Sequence, residues 1–406
     1  MAQSFSVSEQ VRIEIRGCRD RVTVMGWDDV RSVVTDVAAR QDGDSIFVEE
    51  ARRVGLRVPR TASVSIADCD ADVRVEGLAG RVELASIDGD VVLRGLTEAV
   101  IRDLDGDLVA KGVGSLTGAG RWDGDAALRG IEQLQIAQVE GDASLGDVGT
   151  VTIETIEGDL NIRGLRGALR LGQVDGDVTL HDAAGDLNLA RVDGDFVAQG
   201  VRGNVDAPEI DGDAVLSLDE VKGVLLRADG DVVLNLPIGT NAEIELDVPH
   251  GDWVARAGIR IIEQDEHHMR GTLGSGGPKV QLESLHDDIV VRAGGIPGPR
   301  AEFSEEFRAP FVEMGQEMAE MGQRIAQEVR QSVHESLTRS GFRSHGSYEF
   351  RHHRKRRHQH HAPEETVEPE PSGPVAGSPE RRAILDAIAR GELSVDDAIR
   401  KLRGEE

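Results

Sequence analysis

Ten times along the chain an apolar residue is followed by an acid, then glycine or alanine, then aspartate. The second position of this motif is held by Asp70, Asp88, Asp105, Asp123, Glu140, Glu157, Asp175, Asp193, Asp211 and Asp229. The fourth is held by Asp72, Asp90, Asp107, Asp125, Asp142, Asp159, Asp177, Asp195, Asp213 and Asp231. Recurring carboxylates can bind cations, transfer protons or hold a turn. The fourth position accepts no glutamate. That selectivity predicts a structural role from Asp90 through Asp231: a short carboxylate accepting backbone N–H groups within its own turn, with the glycine supplying positive φ. The second position tolerates Glu140 and Glu157, so it needs charge rather than one geometry. It reads as a solvated stripe that discourages edge-to-edge pairing. The alternative is a cation ladder, for which Asp175, Asp193, Asp211 and Asp229 are the candidates. Calcium-binding solenoids carry Gly-Gly-x-Gly-x-Asp, however, and this chain lacks the extra glycines. No metal and no cofactor are expected.

The motif starts at Cys69, Ile87, Leu104, Trp122, Val139, Ile156, Val174, Val192, Ile210 and Ala228, at steps of 17 or 18 residues. Alternating apolar positions follow each start, as in Val91 and Leu93, Leu160 and Ile162, or Val178 and Leu180. A period of two means a half-buried strand. The scheme often repeats about nine residues on, so each rung holds at least two strands. One rung cannot bury its own apolar face, but a parallel stack can. The predicted fold is mainly β: a parallel β-solenoid of about ten rungs over 69–236, right-handed by the usual preference for crossovers. Ala110, Ala126, Ala143, Ala198 and Ala214 at inward positions predict a narrow interior. Flanking strands that break the period predict irregular or antiparallel β caps at 5–68 and 237–296.

The formal net charge is −28 and aromatic residues make up 3%, so the core must be aliphatic and the whole molecule would repel a nucleic acid. Two cysteines, Cys18 and Cys69, read as reduced thiols rather than a disulfide framework. The N-terminal residues show no basic segment leading into an apolar run, and no apolar window is long enough to span a bilayer. A cytoplasmic location is therefore expected, with envelope association as an alternative. No nucleophile–base pair, phosphate loop, dinucleotide fingerprint or zinc spacing occurs, and the acids repeat uniformly where an active site would be a local irregularity. The expectation is a non-enzyme with no small-molecule substrate.

Gly26-Trp27 after an early strand, Val58-Pro59 before the rungs, repeated Gly-Asp-Val strands and a terminal Gly-Gly strand pair resemble the bacterial adhesin-like β-strand-repeat domains of unknown function. The resemblance covers roughly residues 5 to 293 and implies a link to cell-envelope stress. Gly-Asp repeats also occur in bactofilin-like polymers. A cation-dependent surface adhesin is the other alternative, although the rungs offer only Trp122 and Phe196 as aromatic platforms.

Beyond the prolines near 297–299 the pattern turns helical. Phe311, Met314, Met318, Met321, Ile325, Val329, Val333 and Leu337 recur at three or four residues and predict an amphipathic helix over 300–340 that docks on the rod or self-associates as a coiled coil. Residues 341–377 form a basic His-rich, then Pro- and Glu-rich linker, expected to be disordered. Its stretch 343–361 could contact anionic lipid or nucleic acid. Over 378–404, Ser378-Pro379 opens one helix and Ser394 with Asp397 caps a second. Ile384, Leu385, Ile388, Ile399 and Leu402 form the apolar face of this helical hairpin, which resembles the SHOCT-like short C-terminal domain. The resemblance implies oligomerisation or partner docking, so the expected partner is a protein or a second copy of the chain.

Overall fold

The computed structural model describes residues 3–256 and 258–293. The helix over 300–340, the linker, the hairpin and the candidate association residues Met314, Met318, Met321, Ile325, Ile384, Leu385, Ile388, Ile399 and Leu402 lie outside the described residues. Among those described, all regular structure is β-strand.

The rung starting at Leu169 shows why the sequence folds this way. Leu169, Leu171 and Val174 in strand Leu169–Val174 are buried, as are Val178, Leu180 and Ala183 in strand Val178–Ala183. The inward positions are thus i, i+2 and i+5, repeated after nine residues. Strict alternation would send i+4 inward instead of i+5. In the second strand a left-handed residue at i+4 makes the correction, as Asp182 does at φ 58° and Gly200 one rung on at φ 70°.

Successive rungs pair in parallel and in register. Leu169 lies beside Leu187, and Val178 beside Phe196. Like residues therefore stack into columns, and each rung adds its inward side chains to one thin core. Each of the larger ones contributes about 1.5–3 kcal/mol of burial. Bulk is balanced along a column: Phe196 is followed by Ala214, and Trp122 is accommodated because residue 118 is glycine. A Cβ at Gly118 would lie 2.5 Å from the Trp122 ring.

The ends carry the expected antiparallel strands, but inside them lie further parallel rungs. Strands Arg12–Arg16 and Arg21–Trp27 form a further parallel rung, as do Ser45–Glu49 and Arg53–Pro59. At the other end Ala242–Asp247 with Trp253–Arg256, and Lys279–Ser284 with Ile289–Ala293, extend the same two faces. Neither pair stacks in chain order. The 12–27 rung sits between 45–59 and 63–76, and the 279–293 rung sits between 224–236 and 242–256. Sequence periodicity misses these rungs because their neighbours are not the next segment one 17- or 18-residue step along the chain. Antiparallel strands appear only outside them. Arg40–Asp42, Ser32–Thr35 and Gln3–Ser6 cover the first end, and His268–Leu273 with Ile259–Gln264 cover the second.

Candidate functional site: the carboxylate corner

The acid–glycine–aspartate motif forms the corner between the two strands of each rung. The fourth-position aspartates accept backbone N–H groups of the neighbouring rung. Oδ1 of Asp177 accepts the N–H of Asp195 in the next rung at 2.7 Å, and Oδ1 of Asp159 accepts that of Asp177 at 2.8 Å. The same bond links Asp72 to Asp90, Asp90 to Asp107, Asp107 to Asp125, Asp125 to Asp142, Asp142 to Asp159, Asp195 to Asp213 and Asp213 to Asp231. It continues into the end rungs, where Asp231 accepts from Asp288 and Asp288 from Asp252. The sequence reading places the acceptor's partner within the turn; these bonds run between rungs. Reach explains the selectivity, since only aspartate matches the spacing of about 4.8 Å between stacked strands.

The glycine also acts differently from expectation. Positive φ occurs at Gly89, Gly106 and Gly124, but Gly176, Gly194 and Gly212 lack it. These later glycines are required by space. A Cβ at Gly194 would stand 2.3 Å from Asp177 Oδ1 and 2.7 Å from the carbonyl oxygen of Gly176. Carboxylate and glycine therefore interlock between rungs.

The second-position acids form a separate, more exposed column, with partners at several levels. Arg121 bridges Asp123 and Glu140; Arg191 bridges Asp193, Glu209 and Asp211; Gln173 donates to Asp175 at 2.8 Å. Of the candidate cation ligands Asp175, Asp193, Asp211 and Asp229, the middle two thus share one guanidinium. Among the described residues no group of His, Cys, Asp and Glu has a geometry that could hold a metal ion. The out-of-order rungs place Arg19 and Arg52 at one end of this column, and His286 and His250, ring-stacked at 6.1 Å, at the other. Sequence reasoning missed these terminators because they lie outside the repeat.

A second corner, nine residues on, carries a shorter version of the interlock. Asp186 accepts the backbone N–H of Asn204 at 2.8 Å and its side-chain amide at 3.0 Å. The backbone bond leads in holding the Asp186 carboxyl below its ordinary range. His181, beside Arg163 and Gln199 on the outer face, is also shifted down: burial first, then the Arg163 charge, lower its affinity for a proton. Its folded pKa lies below the unfolded value, so the unfolded chain takes up the proton first. Stability should be full above pH about 6.5 and fall as the pH drops through the folded value. His181→Gln should flatten that part of a urea-midpoint profile; an unchanged profile would assign the slope elsewhere.

Along its described length the molecule is a β-repeat protein, a parallel solenoid closed by rung-to-rung carboxylate–amide bonds. The Toastrack DUF4097 family model matches residues 30–228, which spans the outer N-terminal rung to the tenth corner motif. A crystal structure from Clostridium sporogenes, provisionally named a cell adhesion protein, aligns over 72% of this chain and 99% of its own at 8% identity. Its TM-score of 0.14 carries no argument about fold. No curated protein matches the sequence.

Proposed function

We propose that this chain is a non-enzymatic bacterial scaffold, a stiff acidic solenoid that carries a C-terminal arm for self-association or protein docking. The supporting observation is the continuous use of the fourth-position carboxylates in stacking, from Asp72 to Asp288. Acid–base catalysis by a pair of carboxyl groups needs the two in contrasting environments. Here the same environment recurs from rung to rung, and each of these carboxylates is engaged by a main-chain N–H. In this reading the arm's apolar stripe around Met314, Met318, Met321 and Ile325 and its SHOCT-like hairpin make the contacts. The protein acts in the cytoplasm near the envelope, and the basic 343–361 stretch is a secondary contact for anionic surfaces.

Light scattering on the full chain and on residues 1–296 tests the proposal. The truncated protein should be the smaller assembly, and Met318→Asp with Ile325→Asp in the full chain should reproduce the loss. One feature favours a polymer instead. Strand Ile259–Gln264 pairs along one edge with His268–Leu273 and leaves Ile261 and Ile262 exposed, as an end-to-end joint would require. Filaments formed by 1–296 alone would establish that second reading and remove the first.

A further inference from the structure

Cys18 and Cys69 stand 51 positions apart in sequence and side by side in space. The flanking strands share that offset, with Arg16 beside Ala67 and Arg21 beside Asp72. The N–H of Asp70 donates to the carbonyl of Cys18 at 2.8 Å, which keeps the two rungs in register at the cysteines themselves. Both side chains point into the core and are 1% and 2% exposed. Each sulfur lies close enough to the other to shift its ionisation. In-register neighbours on adjacent parallel strands have Cα atoms about 5 Å apart, inside the range a disulfide spans.

The two thiols are chemically unequal. Cys69 sulfur receives the Cys18 thiol and the main-chain N–H groups of Cys18 and Gly17, and its pKa is lowered to about 7 by them, the thiol contact leading. Cys18, the donor in that contact and buried, is pushed up. Cys69, whose thiol donates to the Ala67 carbonyl at 3.3 Å when protonated, is the more readily ionised of the two. Access is provided by the swapped order of the end rungs. The column continues outward from Cys18 to Ala51, whose N–H···O contact from Arg19 marks the register and whose side chain is small and only partly buried. The cover over the sulfurs is thin on that side, and it belongs to the outermost rung, where local opening costs least.

The geometry points to Cys18 and Cys69 as a redox dithiol that closes, by exchange with a small-molecule disulfide, into a clasp between the 12–27 rung and the first regular rung. Cys69 thiolate attacks one sulfur of the incoming disulfide and displaces one thiol. Cys18 then attacks the Cys69 sulfur, and its proton leaves with the second thiol. Two S–H bonds are exchanged for one S–S bond, and the small disulfide takes up the two electrons.

The full chain incubated with oxidised glutathione tests this. Both thiols should disappear from a thiol assay, with an intact mass lower by two hydrogens and a peptide joining Cys18 to Cys69. The rate should rise with pH through about 7. Cys18→Ser should stop at a glutathione adduct on Cys69, and Ala51→Leu should slow the reaction by thickening the cover. The closed form should be cut in the 19–68 segment on the order of a hundredfold more slowly in limited proteolysis, because the clasp closes a long loop. Thiols that react only in denaturant, a stable mixed disulfide with both cysteines present, or cross-linking between chains would each overturn the assignment. The wild-type experiment stands even if the variants fold poorly.

Discussion

Gly194→Ala is expected to destabilise the solenoid by about 2–4 kcal/mol, although alanine is the smallest addition that can be made. The added Cβ would meet the Asp177 carboxylate at 2.3 Å and the Gly176 carbonyl at 2.7 Å. Neither can retreat without breaking the bond from Asp177 to the Asp195 N–H or parting the rungs. Gly146→Ala supplies the contrast. Its nearest neighbour would be Arg129 Cγ at 3.5 Å, ordinary contact with a flexible side chain. That change should stay within about 0.5 kcal/mol and lean toward stabilisation, since alanine restricts the unfolded chain. Urea midpoints of the two variants, with unchanged slopes, would show the difference. Equal midpoints would mean that the corner has room the interlock denies it.

Asp177→Ala should cost about 1.5–3 kcal/mol, whereas Asp175→Ala, two residues away and equally acidic, should stay within about 0.5 kcal/mol. Removal of the Asp177 side chain takes the acceptor from the Asp195 N–H, while the Asp175 carboxylate accepts from the exposed side chain of Gln173. Asp177→Asn is the informative third member, because an amide oxygen can still accept that N–H. It should retain most of the lost stability if geometry dominates and little if the charge does. A ladder of this kind makes the cost local. A stack with nearest-neighbour coupling can split at the damaged interface, so a broadened transition is part of the expected result.

The ten corner starts were legible because an 18-residue period with two inward strands is a strong signal, and Val178, Leu180 and their equivalents do line the core. The partner of Asp177 was not. A carboxylate bonded within its turn and one bonded to the next rung leave the same trace in a single sequence, since both need a short acid beside a glycine. The later glycines were misassigned for the same reason, though Gly89, Gly106 and Gly124 do take positive φ: Gly194 answers to the residue 17 positions earlier. The end rungs were hidden by their order. Ile13 pairs with both Ile46 and Val64, at offsets of 33 and 51 residues, and neither is the single 17- or 18-residue step that marks consecutive rungs. The cysteine pair was hidden with them, since Cys18 belongs to a rung that periodicity does not reveal.

The order of the end rungs also governs how the chain can be made. A solenoid stacked in sequence can add each rung to a finished template as it emerges from the ribosome. At the C-terminal end that is impossible here. Residues 242–256 emerge before 279–293, yet their parallel partner is that later rung. They must wait, tethered, until the intervening strands arrive, and the last block from about 237 onward then closes in one event. The same constraint acts on release. The chain leaves the solenoid from a rung held on both sides, so a pull on residues beyond 293 loads two hydrogen-bonded ladders at once rather than peeling an outer strand.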